Sequence, residues 1–203
     1  MPIGPGGLDS NGIWQFGEDD SEALASDLLN LGMGSVSTAI STLGGVLQVV
    51  SVSKTNAFSA SVASGASVAV TDLSITHTLA SSSNKLYVSA FFGMAAHSAG
   101  ENDIAIALAD DGTLVGIGDA NGTSARITSG GRNAGAGFDY IAINPSFSFV
   151  YEPGDALSHT YTLHAINTDT ATGTLYVNRT ERAESTVAFP RSASSLTIME
   201  VAG

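Results

Sequence analysis

The chain has 203 residues, with 7 basic against 19 acidic side chains, a formal charge of −12, only 13% charged residues and no cysteine. Without cysteine there are no disulfides, thiolate metal sites or cysteine nucleophiles, and strong acidity argues against a nucleic-acid partner. At 43% hydrophobic residues the chain is too apolar and too weakly charged to be disordered throughout.

No apolar stretch approaches the ~18 residues of a membrane span, so no membrane partner is expected. The opening MPIGPGGLDSNG has no basic and no apolar leader region, so no secretion leader is expected either. Residues 1–17 carry clusters of Pro and Gly and read as an extended arm. Such an arm cannot bury its aromatic pair, Trp14 and Phe16, by itself. The pair needs a second surface, on a partner or on its own domain. Six acids and no base precede Lys54, among them Glu18, Asp19 and Asp20 beside the aromatic pair.

Asp19-Asp20-Ser21-Glu22 writes a helix start. With Asp19 as N-cap, Glu22 completes a capping box, and the acids sit at the favourable end of the helix dipole. Leu24, Leu28 and Leu31 then form a narrow apolar stripe, ended by Gly32 and Gly34. Val36, Ile40, Leu43 and Leu47 continue the spacing. Stripes this narrow suit a short neck in which copies of the helix pack together. An amphipathic helix lying on the chain's own sheet is the alternative.

From Gly45 the period changes to two, and a boundary between residues 1–44 and 45–203 is expected there. Val46–Val52 is apolar and β-branched. Alternation follows at Lys85–Met94, Ile104–Ala109, Ser146–Tyr151, Thr160–Ala165 and Leu196–Val201. Asp111-Gly112, Asn121-Gly122, Pro153-Gly154 and Thr172-Gly173 read as turns. About nine or ten short strands and no later helix predict an all-β fold, a jelly-roll sandwich of antiparallel strands. Residues 118–137 read as one long Gly-rich loop, of the kind that is usually functional.

Several positions read as the solvent side of strands are uncharged: Tyr87, Phe91, Ala105, Ala107, Ala109, Val150 and Ile166. This points to sheet surface buried between copies, a homo-oligomer, rather than to a Ser/Thr-covered monomer.

Gly45–Val50 with Ser53–Ser59 resembles the opening strand of small jelly-roll heads in tailed-phage virion proteins. Asp72–Leu79, Ser81–Val88, Pro153-Gly154-Asp155 leading into Thr160–Leu163, and the ending Ser195–Ala202 are similar to later strands of the same heads. Trp14–Asp20 with Leu28–Gly32 resembles the attachment segment of minor tail proteins in phages of actinobacteria. The resemblance implies a homotrimeric TNF/C1q-like head on a helical neck, anchored to the virion through its N-terminus.

Catalytic patterns are weak. His159 and His164 stand five apart on one strand and face opposite sides, and no G-x-S-x-G elbow marks a serine. Glu101, Asp103, Asp110, Asp111 and Asp119 lack calcium-loop grammar and read as turn acids, with ion binding the lesser alternative. Glycan hydrolysis would need an aromatic-lined groove that 7% aromatics do not supply. Two Asn-x-Thr sequons, at Asn121 and Asn178, read as accidental. Glu200, inside the last apolar strand, needs a partner such as Arg179, Arg182 or Arg191 across a subunit boundary, or a bulge at Ile198–Met199 that turns it outward.

The resemblance, with no catalytic pattern beside it, implies a virion protein without enzymatic activity, cofactor or metal: a tail fibre or minor tail protein, or alternatively a capsid decoration trimer. A secreted binding domain fits less well without a leader. Its partners would be other phage structural proteins, with Trp14, Phe16, Glu18, Asp19 and Asp20 as the attachment residues. Asn121, Arg126, Arg132 and Asn133 in the Gly-rich loop are expected to meet a host cell-wall glycan, or to form the trimer seam.

Overall fold

Alternation of apolar and small polar residues becomes strand throughout the larger part of the chain. The computed structural model describes residues 45–98, 103–131, 142–182 and 185–203, together with the backbone of Gly7–Leu8 and Trp14–Gln15. The chain forms two compact units, Met1–Gly45 and Val46–Gly203.

In the first unit β1 (Gly7–Leu8) and β2 (Trp14–Gln15) pair antiparallel, with Leu8 opposite Trp14. The segment read as an extended arm thus doubles back, and pairing satisfies backbone groups that a lone arm leaves to water. The expected helix with Leu24, Leu28, Leu31, Val36, Ile40 and Leu43 lies outside the described residues. So do Phe16, Glu18, Asp19 and Asp20.

The second unit contains β3 (Val46–Lys54), β4 (Phe58–Val62), β5 (Ser67–Thr78), β6 (Lys85–Phe91), β7 (Ala95–His97) and β8 (Ile104–Asp110). It continues with β9 (Thr113–Val115), β10 (Ser129–Gly131), β11 (Ser146–Tyr151), β12 (Ser158–Asn167), β13 (Gly173–Val177) and β14 (Ser194–Val201). The described residues of this unit contain no helix. One sheet runs β11-β6-β14-β3; a second runs β10-β8-β12-β5, with β9 also paired to β8; a third is β4-β13-β7. All pairings are antiparallel. The fold is an all-β sandwich. Leaving aside the short third sheet and β9, successive strands mostly alternate between the two large sheets.

The three sheets share one core. Leu86, Val88, Leu196 and Ile198 come from the first, Leu73, Ile75, Ile106, Leu108 and Leu163 from the second, and Val62, Leu175 and Val177 from the third. These side chains are buried almost completely. Burying each of the larger ones contributes about 1.5–3 kcal/mol. Lys54 is also buried at the end of β3, where its ammonium donates to Asn56 Oδ1 at 2.8 Å and to Asp72 Oδ2 at 3.0 Å.

β8 departs from the expected pattern because all seven of its residues are buried. Ile104, Ile106 and Leu108 enter the main core, while Ala105 and Ala107, with Ile166, face Leu114, Ile117 and Ile127 in a second cluster. The alanine face, read from sequence as surface for a partner, is therefore covered by the chain's own segment after β8. Residues 132–137 lie outside the described residues, and over its described part, 118–131, that segment is not a structureless loop. β10 lies within it and pairs with β8, and Gly130 sits so close that a Cβ there would be 2.6 Å from the Ala105 Cβ. The small side chains of β8 are what let this second layer approach.

The turns follow local chemistry only in part. Asp111 and Gly112 have φ of 46° and 84° and close the β8–β9 hairpin with two residues, as positive-φ turn residues should. Gly154 is at φ 86° and Gly122 at φ 55°, whereas Gly173 lies inside β13 and is not a turn residue.

Candidate functional site

Three features of the sandwich carry chemistry or surface. The first is a polar group at the start of β12. His159 Nδ1 donates to Asp110 Oδ1 at 2.8 Å and lies 3.5 Å from Asp111 Oδ2, while Nε2 donates to Asp155 Oδ1 at 2.9 Å. The ring stacks on Tyr161, with centroids 6.0 Å apart, and Tyr151 donates its hydroxyl to Asp110 Oδ2 at 2.8 Å. The Asp155 and Asp110 carboxylates raise the His159 pKa, and the same bond, with the Leu157 N–H, lowers that of Asp155. Burial, followed by the Asp110 carboxylate, pushes the Tyr151 phenol well above its ordinary value.

Both imidazole nitrogens are thus committed to carboxylates. Protonation lets the ring donate to both carboxylates at once, which is why they favour its charged form. Asp110, Asp111 and His159 offer ligand atoms within 4.8 Å of one another, the one group among the described residues spaced to hold a metal ion. An open recess of about 220 Å³ lies against them. Of the five acids read as turn acids, only Asp110 and Asp111 come together here; Glu101 lies outside the described residues. Asp155 and Tyr151 were not anticipated as members of the group.

Next to it is a buried acid. Glu200 is 2% exposed. His77 Nε2 donates to its Oε2 at 2.9 Å, and the Ala80 N–H and Asn84 Nδ2 donate to its Oε1 at 2.8 and 2.6 Å. Burial raises the carboxyl pKa, but these three donors outweigh it and hold the carboxyl below its ordinary value. Neither sequence expectation for Glu200 holds. Its partners belong to its own sandwich and are not arginines, and the strand irregularity falls between Glu200 and Val201, leaving the acid turned inward. Arg179 instead lies over the Tyr176 ring, 4.8 Å from its centroid. His77 stands directly opposite His159 in the β5–β12 register, so the two imidazoles are neighbours, each bonded to its own acids, at the same end of the core.

The third feature is the outer face of the β11-β6-β14-β3 sheet. Register aligns four rows across it. Ser146–Phe91–Ser195–Ser53 is followed by Ser148–Ser89–Thr197–Ser51, then Val150–Tyr87–Met199–Val49, then Lys85–Val201–Val46. Val150 and Val49 are each 55% exposed, and Phe91 is 43% exposed. The face's one charged position is Lys85, which is paired at 2.7 Å with Glu152 at the margin. Of the uncharged positions read from sequence, Tyr87, Phe91 and Val150 are therefore exposed together.

The expected tip residues are less concentrated. Asn121 and Arg126 are exposed, and Arg126 Nε donates to Gly118 O at 2.7 Å, fastening its own segment. Arg132 and Asn133 lie outside the described residues, and of Trp14 only the backbone is described.

No protein-family model matches the chain, and no curated protein matches it either.

Proposed function

We propose that the chain is a structural protein of a tailed-phage virion, a homotrimeric minor tail protein or tail fibre whose β head faces the host. The observation that carries this reading is the exposed outer face of the four-stranded sheet. A protein of charge −12 that leaves a sheet face of Ser, Thr, Val, Tyr, Met and Phe is built to be covered by other protein. The strand order supports the jelly-roll reading, because β11-β6-β14-β3 packs on β10-β8-β12-β5 with strands drawn alternately from the two sheets.

In this reading Trp14 and Phe16, with Glu18, Asp19 and Asp20, plug into a basic, apolar socket on the tail. The Leu24, Leu28, Leu31, Val36, Ile40 and Leu43 stripes zip the neck. Asn121, Arg126, Arg132 and Asn133 meet a cell-wall glycan. A quantitative gel of purified virions tests it. A few trimers per particle are expected, hundreds of copies would assign the protein to the capsid shell instead, and absence from the particle would overturn the reading. Trp14→Ala/Phe16→Ala should lower incorporation with the head still folded, since an aromatic anchor typically carries ~2 kcal/mol or more.

A further inference from the structure

We propose that the outer face of the β11-β6-β14-β3 sheet is a homotypic interface, centred on the row Val150–Tyr87–Met199–Val49 and occupied by a second copy of this chain. The proposal rests on the reading of the protein as a homo-oligomer and names the surface through which it assembles.

Three observations select this occupant. The first is charge. The chain carries −12, so two copies repel wherever acids face each other, and this face has only the Lys85–Glu152 pair at its margin. Copies can meet here without carboxylate opposing carboxylate. The second is chemistry. The polar positions of the face are serines and threonines, and Ser51 already shares a hydrogen bond with Thr197 at 2.8 Å. A hydroxyl both donates and accepts, so a hydroxyl-and-apolar surface can meet a neighbouring copy of this weakly charged chain without needing opposite charge. A basic or acidic partner would find nothing of opposite sign on it.

The third observation is the contrast between the two large sheets. The outward alanines of β8 are sealed by the chain itself through Leu114, Ile117 and Ile127. The outward face of the other sheet keeps Val49, Tyr87, Phe91 and Val150 exposed. Beside it Leu47, 43% exposed, stands in the register shift opposite Glu200 and Val201. β3 and β11 are both outer strands of that sheet, so the apolar row runs uninterrupted from one sheet edge to the other.

The experiment uses the full chain, by light scattering and sedimentation over a wide concentration range. Tyr87→Lys and Met199→Lys place a charge in the central row without touching the core. Thr76→Lys, on the outward side of β5, is the control. The wild-type and control proteins should be oligomeric, and each central-row variant should weaken self-association at least 100-fold with an unchanged β circular-dichroism spectrum. If the wild-type protein assembles and both variants assemble equally well, the interface lies elsewhere; the oligomer reading stands and this proposal falls. A wild-type monomer at all concentrations overturns both. Cosedimentation with phosphatidylcholine vesicles that Tyr87→Lys abolishes, without any self-association, would assign the face to lipid and equally overturn the proposal.

Discussion

Asn178 shows how much one side chain can hold in a sheet protein. It sits at φ 64°, fully buried, donating its amide hydrogens to Lys54 O and Asn56 O at 2.8 and 3.1 Å and accepting from Ser194 Oγ. Replacing it by Ala leaves two carbonyls without their donor and puts in the left-handed region a residue that tolerates it less well than Asn. We expect Asn178→Ala to lower stability by about 2–4 kcal/mol in urea unfolding. Asn178→Gly keeps the backbone conformation and should recover about 1 kcal/mol of that loss; equal losses in the two variants would remove the backbone argument. The sequence offered Asn178 only as the head of a glycosylation sequon. Its burial shows why a three-residue pattern misleads, because nothing within three residues reports that Lys54 and Asn56 lie above it.

At the scale of elements, the two acid–imidazole groups at one end of the core predict an optimum of stability in pH. His159 has a raised pKa through Asp155 and Asp110, so its contribution is complete below the ordinary histidine value and is lost as pH rises through the raised one. Asp155 and Glu200 are depressed, so their contributions are present above the ordinary carboxylate range and are lost as pH falls through the lowered values. Melting temperature should therefore peak between the two ranges and decline on both sides. His159→Gln should flatten the alkaline limb and remove the Asp155 share of the acid limb, leaving the share of Glu200; an unchanged alkaline limb would dissociate His159 from it. The segment after β8 makes a second prediction. Ile127→Ala uncovers Ala105 and Ala107 and should cost about 1–2 kcal/mol by urea unfolding.

Period-two alternation made β3, β6, β8, β11, β12 and β14 legible in the sequence. The short strands β9, β10 and β13 carry too little alternation to be seen, and β4 alternates over only five residues. Alternation also tells two faces apart without telling which is covered, and so Ala105 and Ala107 passed as surface. The need of Glu200 for a partner was legible from its place in an apolar strand. Its identity was not, because His77 lies 123 positions away.

For the whole molecule, the division into Met1–Gly45 and Val46–Gly203 predicts that a chain starting near Gly45 keeps its β circular-dichroism spectrum. Wholesale unfolding of that truncation would mean the first unit completes the core of the second. Assembly has a chemical reporter built into the fold. The chain has two lysines, Lys54 and Lys85, and the Lys54 ammonium is sealed among Asn56, Thr71 and Asp72 with its side chain 1% exposed. Lys85 stands on the neutral sheet face with its side chain 43% exposed. An amine-directed acylating reagent therefore has one side chain in the native sandwich to modify. Its rate at Lys85, read by mass spectrometry, becomes a footprint of whether that face is open or closed inside an intact particle.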